Sequence, residues 1–164
     1  MKKVLMIDVP EGLQKEIEKM LAIDDSFCAT FEESSKAVSS MVISNEDSID
    51  VCLINLSPKR TNSLSEASEY LCSIFSLVRD ASEREIALAI TCPNLNNTLS
   101  SLLYDLKETS KSEHVIVGGK IIVGDLPNLF NKVLGRVVSR KRKILSPAIE
   151  NLDEGNVDKR FAVI

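Results

Sequence analysis

The sequence predicts an α/β fold in which a parallel sheet is covered by helices on both faces. Five short apolar runs alternate with stretches whose apolar residues recur at helical spacing, and this alternation is typical of βαβ units. Residues 51–54 are all apolar and lead into the polar Asn55, as expected for a central strand that is buried on both faces. The 164 residues are enough for one such domain with its own core.

The predicted strands and helices follow in order from the N-terminus. Strands are predicted over residues 3–7, 27–31, 51–56, 86–91 and 120–123. Apolar residues three or four positions apart predict helices around residues 13–21, 37–42, 64–78, 99–106 and 126–137. Ser63 and Glu66 have the spacing of a capping box at the start of the third helix.

The fifth strand is predicted from a pair of short β runs on either side of Gly118 and Gly119. Two such runs joined by a glycine pair are typical of a hairpin. Because residues 120–123 lead directly into the last helix, we interpret them as the fifth parallel strand. Residues 115–117 are then interpreted as an extra, antiparallel edge strand.

A domain boundary is predicted after the basic run that ends at Lys143. Residues 1–143 contain all the periodic segments, whereas residues 144–164 show little periodicity and include Pro147 and Gly155. We therefore expect one α/β domain over residues 1–143 and a flexible C-terminal extension over residues 144–164.

Composition limits the classes of function. The net charge of −4 gives no general attraction to nucleic acid or to an anionic membrane. No apolar run approaches the roughly 18 residues that span a bilayer, and the apolar run at the N-terminus stops at Asp8, too early for a signal peptide. The cysteines form no Cys-x-x-Cys pair and His114 is the only histidine, so we expect no metal site and a cytoplasmic location.

Polar residues at the ends of the predicted strands resemble those of a known signalling domain. Asp8 and Pro10 follow the first strand, Asn55 ends the third ahead of Pro58, and Thr91 closes the fourth. This arrangement over about residues 2–143 resembles the receiver domain of two-component response regulators. The resemblance implies a three-layer, flavodoxin-like fold of the CheY type, with the strand order 2-1-3-4-5.

The same positions depart from the receiver pattern. In receivers, an aspartate at the end of the third strand accepts a phosphoryl group, an acid pair after the first strand holds Mg²⁺, and a lysine follows the fifth strand. Here Asn55 stands at the acceptor position, only Asp8 remains of the acid pair, and Gly124 and Asp125 follow the predicted fifth strand. Mg²⁺ binds to carboxylates and phosphate oxygens, so a pocket with the single acid Asp8 should hold it poorly. Asp8, Asn55 and Thr91 are therefore expected to form a degenerate receiver pocket with no catalytic residue, metal or cofactor.

Each pocket residue also has a purely structural interpretation. Asp8 is expected to cap the helix that begins near Pro10. Asn55 is expected to bond neighbouring loop backbone, as asparagine often does, and Thr91 to bond a loop as well.

The first functional hypothesis is a phosphorylation-independent pseudo-receiver, not an enzyme, that works in signalling by protein–protein interaction. In receivers, the surface of the fourth helix, fifth strand and fifth helix mediates association, and it corresponds here to residues 99–138. Its partner is then another signalling protein or a second copy. The candidate interface residues are Val115, Ile116, Val117 and Phe130.

The alternative hypothesis is a small flavodoxin-like enzyme or cofactor-binding protein. It would use the crevice at the carboxyl ends of the strands, near Asp8, Asn55, Ser57 and Thr91. Against it, the sequence offers no nucleophile–base pair and no phosphate-binding loop. Nucleic acid is not an expected partner, because aromatic residues make up only 4% of the chain and no reading helix is evident.

Overall fold

The computed structural model of the chain describes residues 1–34, 36–37, 49–110 and 116–137, with the backbone alone for residues 107–110 and 116–118. Four parallel strands of five or six residues lie in the order β2-β1-β3-β4, and a three-residue strand, β5, pairs with β4. They are β1 (Lys2–Ile7), β2 (Phe27–Glu32), β3 (Val51–Asn55), β4 (Ala87–Thr91) and β5 (Ile116–Gly118). The predicted α/β class with a parallel sheet is confirmed.

Helices cover both faces of this sheet. They are α1 (Glu11–Asp24), α2 (Leu64–Glu83), α3 (Asn97–Ser110) and α4 (residues 126–137). Short 3-10 segments, Pro58–Thr61 and Val123–Asp125, precede α2 and α4. The helix predicted around residues 37–42 falls outside the described residues except at Ala37, which is helical and buried.

The core consists of two apolar layers separated by the sheet. Alternate residues of β3 point to opposite layers, so that Leu53 packs with α1 and α4 while Cys52 and Ile54 pack with α2 and α3. All five residues of β3 are buried, which explains why its sequence is apolar on both faces. The N-terminus of α2 is capped as predicted, because the backbone N–H of Glu66 donates to Ser63 Oγ at 3.2 Å.

The fifth strand is parallel, as predicted, but it does not lie at residues 120–123, and the prediction of an antiparallel edge strand at residues 115–117 is wrong in direction. Residues Ile116–Gly118 form β5, and Ile116 pairs in parallel with Ala89 of β4. Just beyond β5 the N–H of Cys92 still donates to the carbonyl of Gly119 at 3.1 Å, and a 3-10 turn, not a strand, then occupies Val123–Asp125. The glycine pair therefore ends a strand that arrives from α3 by a crossover, instead of turning a hairpin. Consequently a lysine, Lys120, does follow the fifth strand by two residues.

The four cysteines differ in burial, and Cys28 is partly buried. Cys52 and Cys92 are buried inside the domain, but Cys72 is exposed on α2. Burial raises the pKa of the Cys52 thiol to about 12, so this thiol remains protonated and behaves as a small apolar group.

Candidate functional site

The structure brings Asp8, Asn55 and Thr91 together at the carboxyl edge of the sheet. β3 lies between β1 and β4, and Asn55 is directly opposite Thr91 in the ladder. Asp8 immediately follows β1, whose last residue, Ile7, pairs with Ile54. Because parallel strands end at the same edge, three residues far apart in sequence become neighbours.

Asn55 lies at the centre of this group and uses both ends of its side-chain amide. The Thr91 hydroxyl donates to Asn55 Oδ1 at 2.8 Å, and Asn55 Nδ2 donates to the backbone carbonyl of Asp8 at 3.2 Å. Since a carbonyl can only accept, the second bond fixes the orientation of the amide. Asn55 and Thr91 are only 6% and 3% exposed. Asn55 is therefore a buried link between three strands: it does bond loop backbone, but that of Asp8 after β1 and not that of its own loop.

Asp8 does not cap the first helix, contrary to the prediction. Its Oδ1 accepts from the backbone N–H of Ser34 at 2.9 Å, beyond the end of β2, whereas α1 has no side-chain cap. Asp8 has a φ of 56°, in the left-handed region that aspartate tolerates better than most residues. Its Oδ2 is buried and has no hydrogen-bond partner in the described part of the chain. The carboxylate thus ties β1 to the segment after β2.

The loop after β3 is held by Tyr70 of α2. The N–H of Ser57 donates to the Tyr70 hydroxyl oxygen at 3.0 Å, and the Arg60 guanidinium lies 5.4 Å from the centroid of the same ring. This second distance is that of a cation–π contact. Tyr70 is 1% exposed, and its pKa is raised to about 12, chiefly because burial disfavours the phenolate. Nothing in the sequence marks Tyr70 as a loop contact, because a tyrosine in an apolar helical stripe carries no signal of its own.

Asn96 fastens the same loop to α3. Its Nδ2 donates to Thr61 Oγ1 at 3.1 Å, and its Oδ1 accepts from the backbone N–H of Leu99 at 2.9 Å. The second bond is an N-cap, and an asparagine three residues before the first buried leucine of a helix is a recognisable signal for one. The first bond depends on tertiary structure and leaves no trace in the sequence.

A cleft of about 510 Å³ opens beside this network, between the turn after β1, the end of β2 and the loop after β3. It lies where the strand order reverses between β1 and β3, the usual place for a crevice in an open α/β sheet. Its lining residues are Asp8, Val9, Pro10, Glu11, Gln14, Phe31, Glu32, Glu33, Lys36, Ser57 and Arg60. Of the residues predicted near a crevice, Asp8 and Ser57 line the cleft. Asn55 and Thr91 do not.

One candidate interface residue proves to belong to the core. Phe130 is completely buried, with its ring centroid 5.2 Å from that of Phe27 in an edge-to-face arrangement. It therefore offers no surface to a partner. The backbone of Ile116 and Val117 lies in β5 at the edge of the sheet, whereas Val115 lies outside the described residues.

The chemistry available at the pocket is limited. An amide cannot accept a phosphoryl group as a carboxylate does, and the hydroxyl of Thr91 is already hydrogen-bonded to it. Within the residues the structure describes, no group of three or more His, Cys, Asp or Glu is placed to hold a metal ion. None of the described helices is both long and apolar enough to cross a membrane.

No model of a known protein family matches the chain. No curated protein is similar enough to be a relative. Among solved structures, a CheY-like response regulator from Mesorhizobium loti matches with a TM-score of 0.52 and 9% identity, over 82% of this chain and 98% of that one. A response regulator receiver domain protein from Clostridium thermocellum matches with a TM-score of 0.56 and 19% identity, over 83% of this chain and 96% of that one. The fold is that of a response regulator receiver domain.

A longer protein also matches, but too loosely to carry an argument. RcsB from Salmonella enterica serovar Typhimurium, bound to the promoter rprA, has a TM-score of 0.43 and 16% identity, over 90% of this chain and 76% of that one. Identities this low establish the receiver fold alone.

Proposed function

We propose that this chain is a phosphorylation-independent signalling module that acts by binding protein. The observation that carries the proposal is the pair of hydrogen bonds made by Asn55, to Thr91 and to the backbone of Asp8. In receivers the corresponding position holds the phosphoryl acceptor. Here an amide stands there, and its donor and acceptor groups are both occupied by the protein itself.

The hydrogen bond of Thr91 supports the same interpretation. Thr91 stands where receivers place a switch hydroxyl, and it already bonds Asn55 at 2.8 Å without any phosphoryl group. Both side chains are buried, where polar groups are costly to leave unpaired. The Asn55–Thr91 pair is therefore satisfied in one arrangement and does not need a bound anion or metal to reach it, whereas Oδ2 of Asp8 has no partner among the described residues.

The proposed binding surface is the face formed by α3, β5 and α4. It corresponds to the face that receivers use for association, and Tyr104 of α3, one of its two helices, is 65% exposed. β5 is an edge strand, so its outer backbone groups are available for pairing unless another segment covers them. The proposed partner is another signalling protein in the cytoplasm or a second copy of the chain, and no enzymatic activity is proposed.

A binding comparison between variants of the full chain tests this function. Immobilised chain is exposed to the proteins of its native cell, with and without acetyl phosphate and Mg²⁺, and retained proteins are identified by mass spectrometry. We expect a specific protein, or the chain itself, to be retained equally in both conditions. Tyr104→Ala and Ile116→Lys should weaken this retention, whereas Ile23→Ala, at an 86% exposed position at the end of α1, should not.

Two outcomes contradict the proposal. Retention that requires acetyl phosphate would show that the chain responds to phosphorylation. Retention that Tyr104→Ala, Ile116→Lys and Ile23→Ala leave unchanged would place the interface on another surface. Far-UV circular dichroism of each variant verifies that the fold is native.

The cleft supports a second candidate function, the binding of a small molecule. Its lining includes the cations Lys36 and Arg60 and the acids Asp8, Glu11, Glu32 and Glu33, so it suits a ligand with both charges. Native mass spectrometry of the purified chain tests this candidate. A stoichiometric ligand whose occupancy falls in Arg60→Ala supports it, and an unliganded chain contradicts it.

A further inference from the structure

Asp8 is held in place beside the cleft by three hydrogen bonds that leave one of its polar atoms unpaired. Its backbone N–H donates to the carbonyl of Glu32 at 3.0 Å, its carbonyl accepts from Asn55, and its Oδ1 accepts from the N–H of Ser34. Its Oδ2 is buried and has no hydrogen-bond partner among the described residues, and no described cation forms an ion pair with this carboxylate. Because partly buried charges are weakly screened by salt, the carboxylate attracts a cation into the cleft.

Arg60, on the loop after β3, supplies the opposite charge. Its guanidinium lies 5.4 Å from the centroid of the Tyr70 ring, and its N–H donates to the carbonyl of Ser57 at 3.2 Å. Burial is the chief cause of the raised pKa of Tyr70, and the charges of Asp8 and Arg60 act on it with opposite signs, so both charges lie near this ring. In the part of the chain that the structure describes, the two side chains nevertheless form no ion pair with each other. A ligand with both charges can therefore pair with each of them.

The rest of the lining narrows the class of ligand. Besides Asp8 and Arg60, the described lining residues include three more acids and one more cation, which are Glu11, Glu32, Glu33 and Lys36. The four acids outnumber the two cations, and this excess favours a ligand with a net positive charge. The volume of about 510 Å³ suits a small molecule. Apolar residues are a minority of the described lining, namely Val9, Pro10 and Phe31, whereas sites for drug-like ligands are mostly apolar.

These charges distinguish between simple classes of polar ligand. A plain diamine has nothing to pair with Lys36 and Arg60, and a dicarboxylate is repelled by the acids. An amino acid with a neutral side chain has no net charge. A basic amino acid has two cationic groups and one carboxylate, which matches the lining in both sign and excess.

We propose that the cleft binds a small basic amino acid of the lysine or arginine type. Its carboxylate pairs with Arg60 and Lys36, and one of its cationic groups lies over Asp8. The inference rests on the second candidate function, the binding of a small molecule in the cleft. It is independent of protein binding by the α3–β5–α4 face.

An amide NMR titration of the full chain with matched small molecules tests this specificity. L-lysine and L-arginine carry the carboxylate and both cationic groups, cadaverine is lysine without its carboxylate, and L-norleucine has no amine on its side chain. At low ionic strength, we expect L-lysine or L-arginine to cause saturable shifts around Asp8 and Ser57, with a dissociation constant of about 1 mM or lower. Cadaverine and L-norleucine should bind at least about tenfold more weakly, because each leaves charged groups of the cleft unpaired.

Two variants locate the ligand, and a neighbouring lysine provides the control. Asp8→Asn removes the charge but keeps an oxygen that accepts from Ser34, and asparagine tolerates the φ of 56° at this position. Arg60→Gln removes the cation beside Tyr70. Each variant should weaken binding of the amino acid at least about tenfold. Lys59→Gln, at the exposed neighbour of Arg60 that does not line the cleft, should change the affinity less than about twofold.

Other results overturn the proposal and separate it from the candidate function on which it rests. Equal affinity for cadaverine or L-norleucine would show that the cleft does not select basic amino acids. Binding that persists in both Asp8→Asn and Arg60→Gln would place the ligand on another surface. If neither L-lysine nor L-arginine binds and native mass spectrometry finds a different ligand, the proposed class alone is wrong. If the chain is also unliganded, the second candidate function is wrong as well.

Discussion

Thr91 donates a hydrogen bond of 2.8 Å to Asn55 Oδ1, and this contact joins the buried ends of β4 and β3. Neither partner is exposed to water that could replace the bond. Two polar residues separated by 36 positions thus form one unit, and their energies are expected to be coupled.

A double-mutant cycle measures that coupling. Asn55→Ala alone should lower the free energy of unfolding by about 1–3 kcal/mol, because it leaves the Thr91 hydroxyl and the Asp8 carbonyl unpaired. Thr91→Val should also destabilise, and the two changes together should cost less than their sum, by about 0.5–3 kcal/mol. Urea denaturation gives the four values. The pair Asn55→Ala and Thr30→Val, with Thr30 exposed two strands away, should be additive. If the effects of Asn55→Ala and Thr91→Val on the free energy of unfolding are additive, the hydrogen bond between the two residues contributes nothing to stability.

Phosphodonors should not modify the chain. Incubation with acetyl phosphate or beryllofluoride and Mg²⁺ should leave the intact mass and the amide NMR spectrum unchanged, because Asn55 has no carboxylate to react. The Asn55→Asp variant is the matched comparison, since it restores the carboxylate beside Asp8 in a chain that also has Lys120 after β5. A phosphoryl adduct on the variant alone identifies the amide as the block. An adduct at this pocket of the unmodified chain contradicts the proposed function.

Stability should fall at high pH because of Tyr70. Burial raises its pKa from 10.0 to about 12 in the folded chain, so between these values the unfolded chain releases a proton that the folded chain keeps. The Tyr70 contribution is therefore complete below pH 10 and is lost as the pH rises through 12. The loss is at most about 3 kcal/mol, since one pKa unit corresponds to about 1.4 kcal/mol.

Two measurements examine this pH dependence. In Tyr104→Phe, Tyr70 is the sole tyrosine, and the ultraviolet absorbance of phenolate reports its titration directly. In Tyr70→Phe, urea denaturation should show a smaller loss of stability between pH 10 and 12 than in the unmodified chain. Equal losses in the two proteins would mean that Tyr70 is ionised as easily when folded as when unfolded.

Truncation of Phe130 should lower the stability of the fold strongly, whereas truncation of Tyr104 should change it little. Phe130→Ala removes a fully buried ring that packs on Phe27 and should cost about 3–5 kcal/mol of stability. Tyr104→Ala, at a 65% exposed position, should change stability by no more than about 0.5 kcal/mol. Thermal denaturation compares them. If Phe130→Ala lowers stability only slightly, Phe130 is not a core residue and is again a candidate interface residue.

The sequence predicted well what depends on local periodicity. The uninterrupted apolar run before Asn55 placed the central strand, and Ser63 with Glu66 placed the start of α2. The polar residues at strand ends, Asp8, Asn55 and Thr91, were expected to meet because parallel strands end at one edge.

What depends on tertiary contacts could not be predicted in this way. A glycine pair between two β runs is typical of a hairpin, and only the pairing of Ile116 with Ala89 shows that it ends a parallel strand. Because residues 120–123 were predicted to form the fifth strand, Lys120 was not recognised as a lysine that follows this strand. The bonds between Asn55 and Thr91, Ser57 and Tyr70, and Asn96 and Thr61 each join residues from different elements, so no spacing in the sequence predicts them.

The amide of Asn55 has a consequence for how information passes through the molecule. A carboxylate at this position would lie beside that of Asp8, and the two negative charges would favour a bound cation. The structure of the pocket would then depend on the concentrations of cations and phosphodonors in the cell. The amide is neutral and is satisfied by Thr91 and a backbone carbonyl. Under the proposed function, the structure of the pocket therefore does not depend on the activity of an upstream kinase. The strength of the signal is set by how much of the chain the cell makes and how quickly it is degraded.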